Sequence, residues 1–327
     1  MTERPAVAVT GMTGLLGGAL TRRLLGGGYP VRALVRAPDQ AVPGPGLTVI
    51  RGDLANETAL RDLVRGVDAV LHVAAMYRSD GPWEAFAEAN WRGTERLIAA
   101  ARAAGVRRFV YCSTIGVHGS VAQTPADENA PLDPRDHYQL SKLRAEQACR
   151  AALGGGMEIV IVRPCGIYGP GDTRMLKLFR MLQKRAFVQI GAGAANFHPV
   201  YIDDLVEGVL LAMTVPGVDG ETFILGGPEY LPLRDYVAAA AAALARPRPW
   251  LRVPYTPVNL AARWCEALCA PLGLQPPLHR RRLTFFKHNR AFSIERARRR
   301  LGYAPAVSLA EGFGRTVAWY RREGLLP

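Results

Sequence analysis

The stretch Val7-Ala8-Val9-Thr10-Gly11-Met12-Thr13-Gly14-Leu15-Leu16-Gly17 runs from a short apolar segment through three evenly spaced glycines into a helical pattern over 14–27. Glycines at such a turn allow a tight bend and let the backbone approach an anion. The opening turn of the helix then presents free N–H groups to it. A strand before the glycines and a helix after them is the context that a pyrophosphate-binding loop requires. The spacing is GxxGxxG rather than GxGxxG, and a glycine-rich turn without a ligand is the alternative.

Outward from this loop, short valine-rich apolar runs at 6–10, 31–35, 47–50, 69–73 and 109–112 read as buried strands. Helical patterns at 14–27, 56–65, 83–104 and 137–153 separate them, and two further strands are expected at 158–162 and 221–225. Such alternation predicts an α/β chain with a doubly wound parallel sheet and right-handed crossovers. After about residue 164 the texture changes to Pro- and Gly-rich joints between helices, including one at 173–184. This predicts a smaller, mostly helical C-terminal substrate lobe. Residues 1–163 with about 199–227 would form the dinucleotide-binding domain, and 164–198 with 228–327 the lobe. Ser308-x-x-Glu311 announces a last helix through a capping box.

The 327 residues are 49% hydrophobic and 21% charged, which excludes a disordered or fibrous chain. Five cysteines (112, 149, 165, 265 and 269) include no CxxC and no zinc-like spacing, so reduced thiols and no metal centre are expected. The net charge is +13, and only four of the 41 basic residues are lysine. That excess gives the surface an affinity for anions. No helix-turn-helix or aromatic RNA platform accompanies it, so no specific nucleic acid is expected. The start MTERPAVAVTG has no signal-peptide pattern, and no apolar run reaches the roughly 18 residues of a membrane span; a cytoplasmic chain is expected.

Four places along the chain carry the chemistry. Arg36 ends the second strand, where a carboxylate would favour NAD(H) and an arginine pairs with the 2′-phosphate of NADP(H). NADP(H) is therefore preferred, with NAD(H) admitted and a plain surface arginine as the alternative. Asp53, in Gly52-Asp53-Leu54, can accept from an adenine amino group or simply cap the next helix. Tyr138-Gln139-Leu140-Ser141-Lys142 puts a phenol and an amine on one helix face. A cation about 4 Å from the phenol, at an effective dielectric near 20, would favour the phenolate by about 4 kcal/mol. That makes Tyr138 an acid/base for an alcohol or carbonyl. Cys112-Ser113-Thr114, at a strand end, offers hydroxyls to hold the substrate oxygen.

TGMTGLLG (10–17), GDL (52–54), HVAA (72–75), NWRGT (90–94), YCST (111–114), YQLSK (138–142), RPCGIYGPGD (163–172) and HPVYIDDL (198–205) occur in one order over about the first 225 residues. With these motifs the chain resembles a short-chain dehydrogenase/reductase of the extended type, in the NAD-dependent epimerase/dehydratase superfamily with its Rossmann sheet. The resemblance implies that Tyr138 is the acid/base and that Lys142 lowers its pKa and holds the nicotinamide ribose. Thr114 would orient the substrate, with Ser113 beside it. The cofactor would lie along Thr10, Gly11, Thr13, Gly14, Leu15, Leu16 and Gly17, then Arg36, Asp53 and Leu54. His72, Val73, Ala74 and Ala75 would line the cleft, with His72 and Ala74 acting through their backbone. Cys112, Tyr138, Lys142, Pro164, Gly166 and Ile167 would border the nicotinamide. Asn90 would have a structural role. Helices near 83–104 and 137–153 would supply a homodimer interface.

Many nucleotide-sugar members carry Asn before the YGP segment, and dehydratases an acidic pair after the Ser/Thr. Here the residues are Arg163-Pro164-Cys165-Gly166-Ile167-Tyr168-Gly169-Pro170 and Ile115-Gly116. The stretch Pro277-Leu278…Thr284…Asn289-Arg290-Ala291-Phe292-Ser293…Gly302-Tyr303 is similar to the branch of 3β-hydroxysteroid dehydrogenases and dihydroflavonol reductases. The expected small-molecule substrate is a fairly apolar secondary alcohol or ketone, steroid-like, acyl or polyketide-like. Met76, Tyr77, Thr114, Cys165 and His198 are its candidate contacts, with Arg78 and Trp83 as further candidates for the wall. A nucleotide-sugar 4-epimerase or 4-ketoreductase is one alternative, and a non-catalytic NADP-binding regulator or nucleic-acid-binding protein another. The segment 256–272 with the basic run His279–Arg282 reads either as an amphipathic helix touching anionic membrane or as a lid helix with a solvated arginine face. Cys265 and Cys269, one turn apart on it, are expected to be buried filler.

Overall fold

The computed structural model describes residues 4–40, 44–77, 81–269, 274, 283 and 286–327. Its first half is β1 (Val7–Thr10), α1 (Leu15–Gly26), β2 (Val31–Val35), β3 (Leu47–Arg51), α2 (Glu57–Val64), β4 (Ala69–His72), α3 (Trp83–Phe86), α4 (Gly93–Ala103), β5 (Arg108–Cys112), α5 (His137–Ala151) and β6 (Glu158–Pro164). With the strand Thr222–Leu225 they form a seven-stranded Rossmann sheet in the order Thr222–Leu225, β6, β5, β4, β1, β2, β3. Every pairing in it is parallel.

Helices cover both faces, so the inner strands β1, β4 and β5 are buried throughout, whereas the edge strand β3 is only half-buried. Alternation along β1 sends Val7 and Val9 into one core layer and Ala8 into the other. The second layer contains Leu60 of α2, Leu97 of α4 and Cys149 of α5. Strand order reverses where β1 meets β4, and the crevice at the carboxyl ends of these strands is where such sheets take ligands.

The expected helix over 83–104 is interrupted. Between α3 and α4, Ala87–Arg92 widens into a π-turn. The Thr94 hydroxyl donates to the Asn90 carbonyl at 2.6 Å, the acceptor of the normal helical bond one turn back. β4 stops at His72 rather than 73 because the Val73 N–H turns to the Thr10 hydroxyl.

The C-terminal half is less purely helical than its texture suggests. It includes three two-stranded pairs, Gly166–Tyr168 with Pro199–Tyr201, Asn196–Phe197 with Leu231–Pro232, and Gln189–Ile190 with Arg252–Val253. The helix expected at 173–184 is Leu176–Gln183. In the last helix, Leu309–Arg322, Ser308 accepts from the Glu311 N–H while the Glu311 carboxylate turns to Arg315, so half of the capping box forms. The helix Tyr255–Cys269 buries only Ala262. Cys265 and Cys269 are half-exposed rather than buried filler, and Leu260, Trp264 and Leu268 line the outer stripe. Arg78, Pro277, Leu278, Thr284 and the run His279–Arg282 lie outside the described residues. No described helix is long and apolar enough to cross a membrane.

Candidate active site

Gly11 has φ +80°, and a Cβ there would meet the Ala74 nitrogen at 2.7 Å. A Cβ on Gly17 would meet the Gly11 carbonyl oxygen at 2.0 Å. The loop is thus folded tightly on itself and against the segment after β4. Gly14 caps α1 without a side chain, and the first turn of α1 contains no acidic residue. These free N–H groups and the positive end of the helix dipole suit the pyrophosphate of a dinucleotide.

The Thr10 hydroxyl oxygen accepts from Val73 and Ala74 N–H at 3.2 and 3.1 Å. Its proton is then left for His72 Nδ1, 2.7 Å away. His72 Nε2–H in turn donates to Thr94 Oγ1 at 2.9 Å. The imidazole is fully buried, outside the cavity: it braces the loop rather than lining the cleft. Burial, aided by the charge of Lys142, pushes it down to about 3. Between about pH 6.5 and 3 the unfolded chain therefore binds a proton that the folded one refuses, so stability falls as the pH falls through this window. By pH 4 the loss is about 3 kcal/mol. In His72→Gln, the drop in unfolding free energy from pH 7 to pH 4 should shrink by about that amount in urea titrations. Equal acid losses in the two proteins would contradict a neutral buried imidazole.

One cavity of about 1700 Å³ runs from the glycine loop past α5 into the C-terminal half. This exceeds the usual 300–1,000 Å³ of a single-ligand site. Of the sequence-predicted residues, it is lined by Thr10, Gly11, Thr13, Gly14, Leu15, Leu16, Gly17, Arg36, Asp53, Leu54 and Val73 through Tyr77. Cys112, Ser113, Thr114, Tyr138, Lys142, Pro164, Cys165, Gly166 and Ile167 complete that set. His198 does not reach it; that side chain is buried with Nε2 against the Gly227 carbonyl. Arg36 is exposed at the end of β2. Asp53 accepts from the Ala55 N–H, but the cap of α2 is Asn56, whose side chain accepts from Ala59.

α5 begins at Asp136, which accepts from the Gln139 N–H. A buried bidentate pair, Arg163 with Glu146 at 2.9 and 2.6 Å, ties α5 to β6. Asn90, on the π-turn, bonds Met76 N and O and donates to Ser141 Oγ, fixing the cavity wall to the same helix. Thr114 Oγ1 accepts from Gly116 N–H and keeps its own proton to donate, while Ser113 Oγ is buried with no hydrogen-bond partner among the described residues.

The Tyr138 ring packs edge-on to Tyr77 at 4.9 Å. Burial pushes its phenol well above the ordinary range, with Cys112, Tyr77 and Asp136 adding and Arg174 opposing. The expectation that Lys142 acidifies Tyr138 is not met. Lys142, only 1% exposed, stacks its ammonium 4.2 Å over the Tyr111 ring, and burial pushes it down to about 8. Desolvation of the phenol outweighs the cationic attraction. The phenol is a proton donor at neutral pH.

Arg174 and Arg290, not singled out as site residues from the sequence, also line the cavity, as do Met175, Leu178, Met181, Phe187, Phe197 and Tyr236. Asp172-x-Arg174 was the local signal for the first. Arg290 arrives only through tertiary pairing with Phe197.

The model of the NAD dependent epimerase/dehydratase family matches residues 7–226. A 2-alkyl-3-oxoalkanoate reductase of Stenotrophomonas maltophilia (strain K279a) is 34% identical over 325 residues, covering 95% of this chain and 98% of that one. A 3-beta-hydroxysteroid dehydrogenase of Mycolicibacterium neoaurum is 31% identical over 340 residues, covering 98% and 92%. The structure of the dTDP-glucose 4,6-dehydratase DesIV of Streptomyces venezuelae with NAD bound superposes with a TM-score of 0.77 at 29% identity, covering 98% of this chain and 100% of that one.

Proposed function

The chain belongs to the NAD dependent epimerase/dehydratase family, and on that premise we propose that it transfers a hydride between a nicotinamide dinucleotide and a secondary alcohol or ketone on a largely apolar substrate. The observation that carries this reading is the shared cavity. The glycine loop, the Tyr138 phenol and an apolar arm through Met175, Leu178 and Phe197 border one space. Relatives named as a 3-oxoalkanoate reductase and a steroid dehydrogenase support it.

The dinucleotide, when bound, supplies or accepts the hydride. Thr114 donates its free proton as a hydrogen bond to the substrate oxygen, and Ser113 offers the buried hydroxyl beside it. Tyr138, protonated because it is buried, delivers its proton to the carbonyl oxygen as the carbonyl carbon is reduced. In the reverse direction the phenolate, not the phenol, is the form of Tyr138 that takes the alcohol proton. Lys142 contributes positive charge behind the site, and the fixed contacts of Asn90 hold Met76 and α5 in register. A ketone panel followed by absorbance at 340 nm tests the reading. Turnover of nucleotide sugars alone, with NAD retained through purification, would replace it with the epimerase alternative.

The same reading gives Arg36 the 2′-phosphate of NADP(H). A charge-assisted hydrogen bond of this kind is worth about 1.5–3 kcal/mol. Arg36→Ala should weaken NADPH binding by about 10- to 100-fold and NADH binding far less, measured by fluorescence titration. Equal affinity of the unaltered protein for both dinucleotides would remove the preference.

A further inference from the structure

The helix Tyr255–Cys269 turns its apolar face to solvent. Leu260, Trp264 and Leu268 stand four apart on the outer side, and Ala261 and Ala267, beside them, are exposed as well. Glu266, the helix's one acidic residue, and Asn259 lie on the half-buried side, and both interact with other groups. A helix that serves only to cover a core has the opposite arrangement. Trp264 is 63% exposed. A second indole, Trp250, is 85% exposed just before the strand Arg252–Val253 that leads into the helix. Leu274, whose N–H donates to the Cys269 carbonyl at 3.1 Å, extends the exposed apolar set past the helix end. Single exposed leucines are ordinary; a stripe of this kind marks an interaction surface.

The charge of the same segment says what the surface takes. From Arg246 to Arg290 the sequence holds nine arginines and lysines against one carboxylate, Glu266, which is +8 of the chain's net +13. Arg248, Arg252 and Arg263, on the helix or on the stretch leading to it, are exposed. A second copy of the chain would set an identical cationic face against this one. A nucleic acid would satisfy the arginines but leave Leu260 and Leu268 facing a polyanion. An anionic bilayer matches both features. Indole and leucine side chains enter the boundary between headgroups and acyl chains, and arginines stay at the headgroup anions.

We propose that Tyr255–Cys269, with Trp264 and Leu268 as its anchors, is a docking surface for an anionic lipid bilayer, on which the helix lies flat. The surface adjoins the apolar end of the cavity. Phe187 and Phe286 line that end. Phe187 leads into Gln189–Ile190, which pairs with Arg252–Val253, and a Cβ on Gly191 would meet the Tyr255 Cβ at 3.7 Å. Lys287, next to Phe286, has its ammonium 5.9 Å from the Tyr255 ring centre. Docking therefore brings the apolar arm of the cavity to the lipid surface. The docking itself is independent of the hydride-transfer reading.

The test is flotation of the full chain with vesicles of phosphatidylcholine alone and of phosphatidylcholine with one third phosphatidylserine, at low salt. The protein should float with the anionic vesicles and stay behind with the neutral ones. Trp264→Ser combined with Leu268→Ser should lower partitioning onto the anionic vesicles by about 100-fold, the size expected for two apolar side chains withdrawn from a membrane boundary. Arg263→Glu should lower it by about 10-fold. Both changes lie on an exposed face, and NADPH fluorescence titration checks that each variant keeps its fold. Should the double variant not fold, Arg263→Glu and the comparison of the two vesicle types carry the test. Absence of flotation, or equal flotation with neutral and anionic vesicles, overturns the proposal. So does flotation that the double variant leaves unchanged, which would show adsorption by overall charge without this helix. A dimer in solution that the double variant splits, with no flotation, would give the surface to a second copy instead.

Discussion

Replacing Tyr138 with phenylalanine is expected to lower kcat for ketone reduction by about 1,000-fold, within the 10²–10⁴ span of general acid catalysis. The ring, its edge-on packing against Tyr77 and the helix around it should all remain, since only the hydroxyl is removed. NADPH affinity should therefore change little, and the loss should fall on kcat rather than on KM. The pH profile provides a second readout. Because burial raises the phenol well above its ordinary range, the unaltered protein should keep its reduction rate nearly constant from pH 6 to pH 8 as far as this group is concerned. Lys142, pushed down to about 8, loses its charge first as the pH rises, so any decline near that value belongs to the amine. Retention of most of the activity in Tyr138→Phe would remove the phenol from the reaction and transfer the role to Thr114 or Ser113.

This assignment also marks where sequence reasoning stops. Tyr138 and Lys142 lie four apart on one helix, and that spacing was legible. The direction of the phenol's pKa was not, because it depends on two non-local facts: how deeply the ring is buried, and that Lys142 stacks over Tyr111 from the neighbouring strand. The sheet was legible nearly to the residue, since valine-rich runs between turn residues have few other homes in a chain this long. The π-turn at Ala87–Arg92 was hidden, because its residues keep a helical apolar pattern. Arg290 stands in the stretch that is similar to the 3β-hydroxysteroid dehydrogenase branch, yet its place at the cavity comes from pairing with Phe197, far away along the chain. His72 was expected to line the cleft through its backbone, yet the cavity wall begins at Val73 and the His72 ring braces the loop. A histidine at a strand end borders a ligand or braces a loop equally well until its partners are known, and here they are Thr10 and Thr94.

The second large effect is expected at Gly17. An added methyl group would sit 2.0 Å from the Gly11 oxygen, 2.5 Å from the Gly11 carbon and 2.9 Å from the Met12 nitrogen. All three are backbone atoms of the loop itself, so no side chain can swing aside to make room. The same Gly11 oxygen accepts from the Gly14 N–H at 3.0 Å, and any outward shift breaks that bond and splays the first turn of α1. Overpacking against backbone costs about 3 kcal/mol or more. Gly17→Ala should lose at least that much unfolding free energy and bind NADPH more than 100-fold more weakly. Gly26, the last residue of the same helix, is the matched control: among the described residues nothing lies within 4 Å of its added Cβ. Gly26→Ala should leave NADPH affinity intact and gain up to about 1 kcal/mol from helix propensity. Urea midpoints and fluorescence titrations of the pair separate the outcomes. If Gly17→Ala bound NADPH as tightly as Gly26→Ala, the loop would not be the pyrophosphate site, and its tight packing would serve the fold alone.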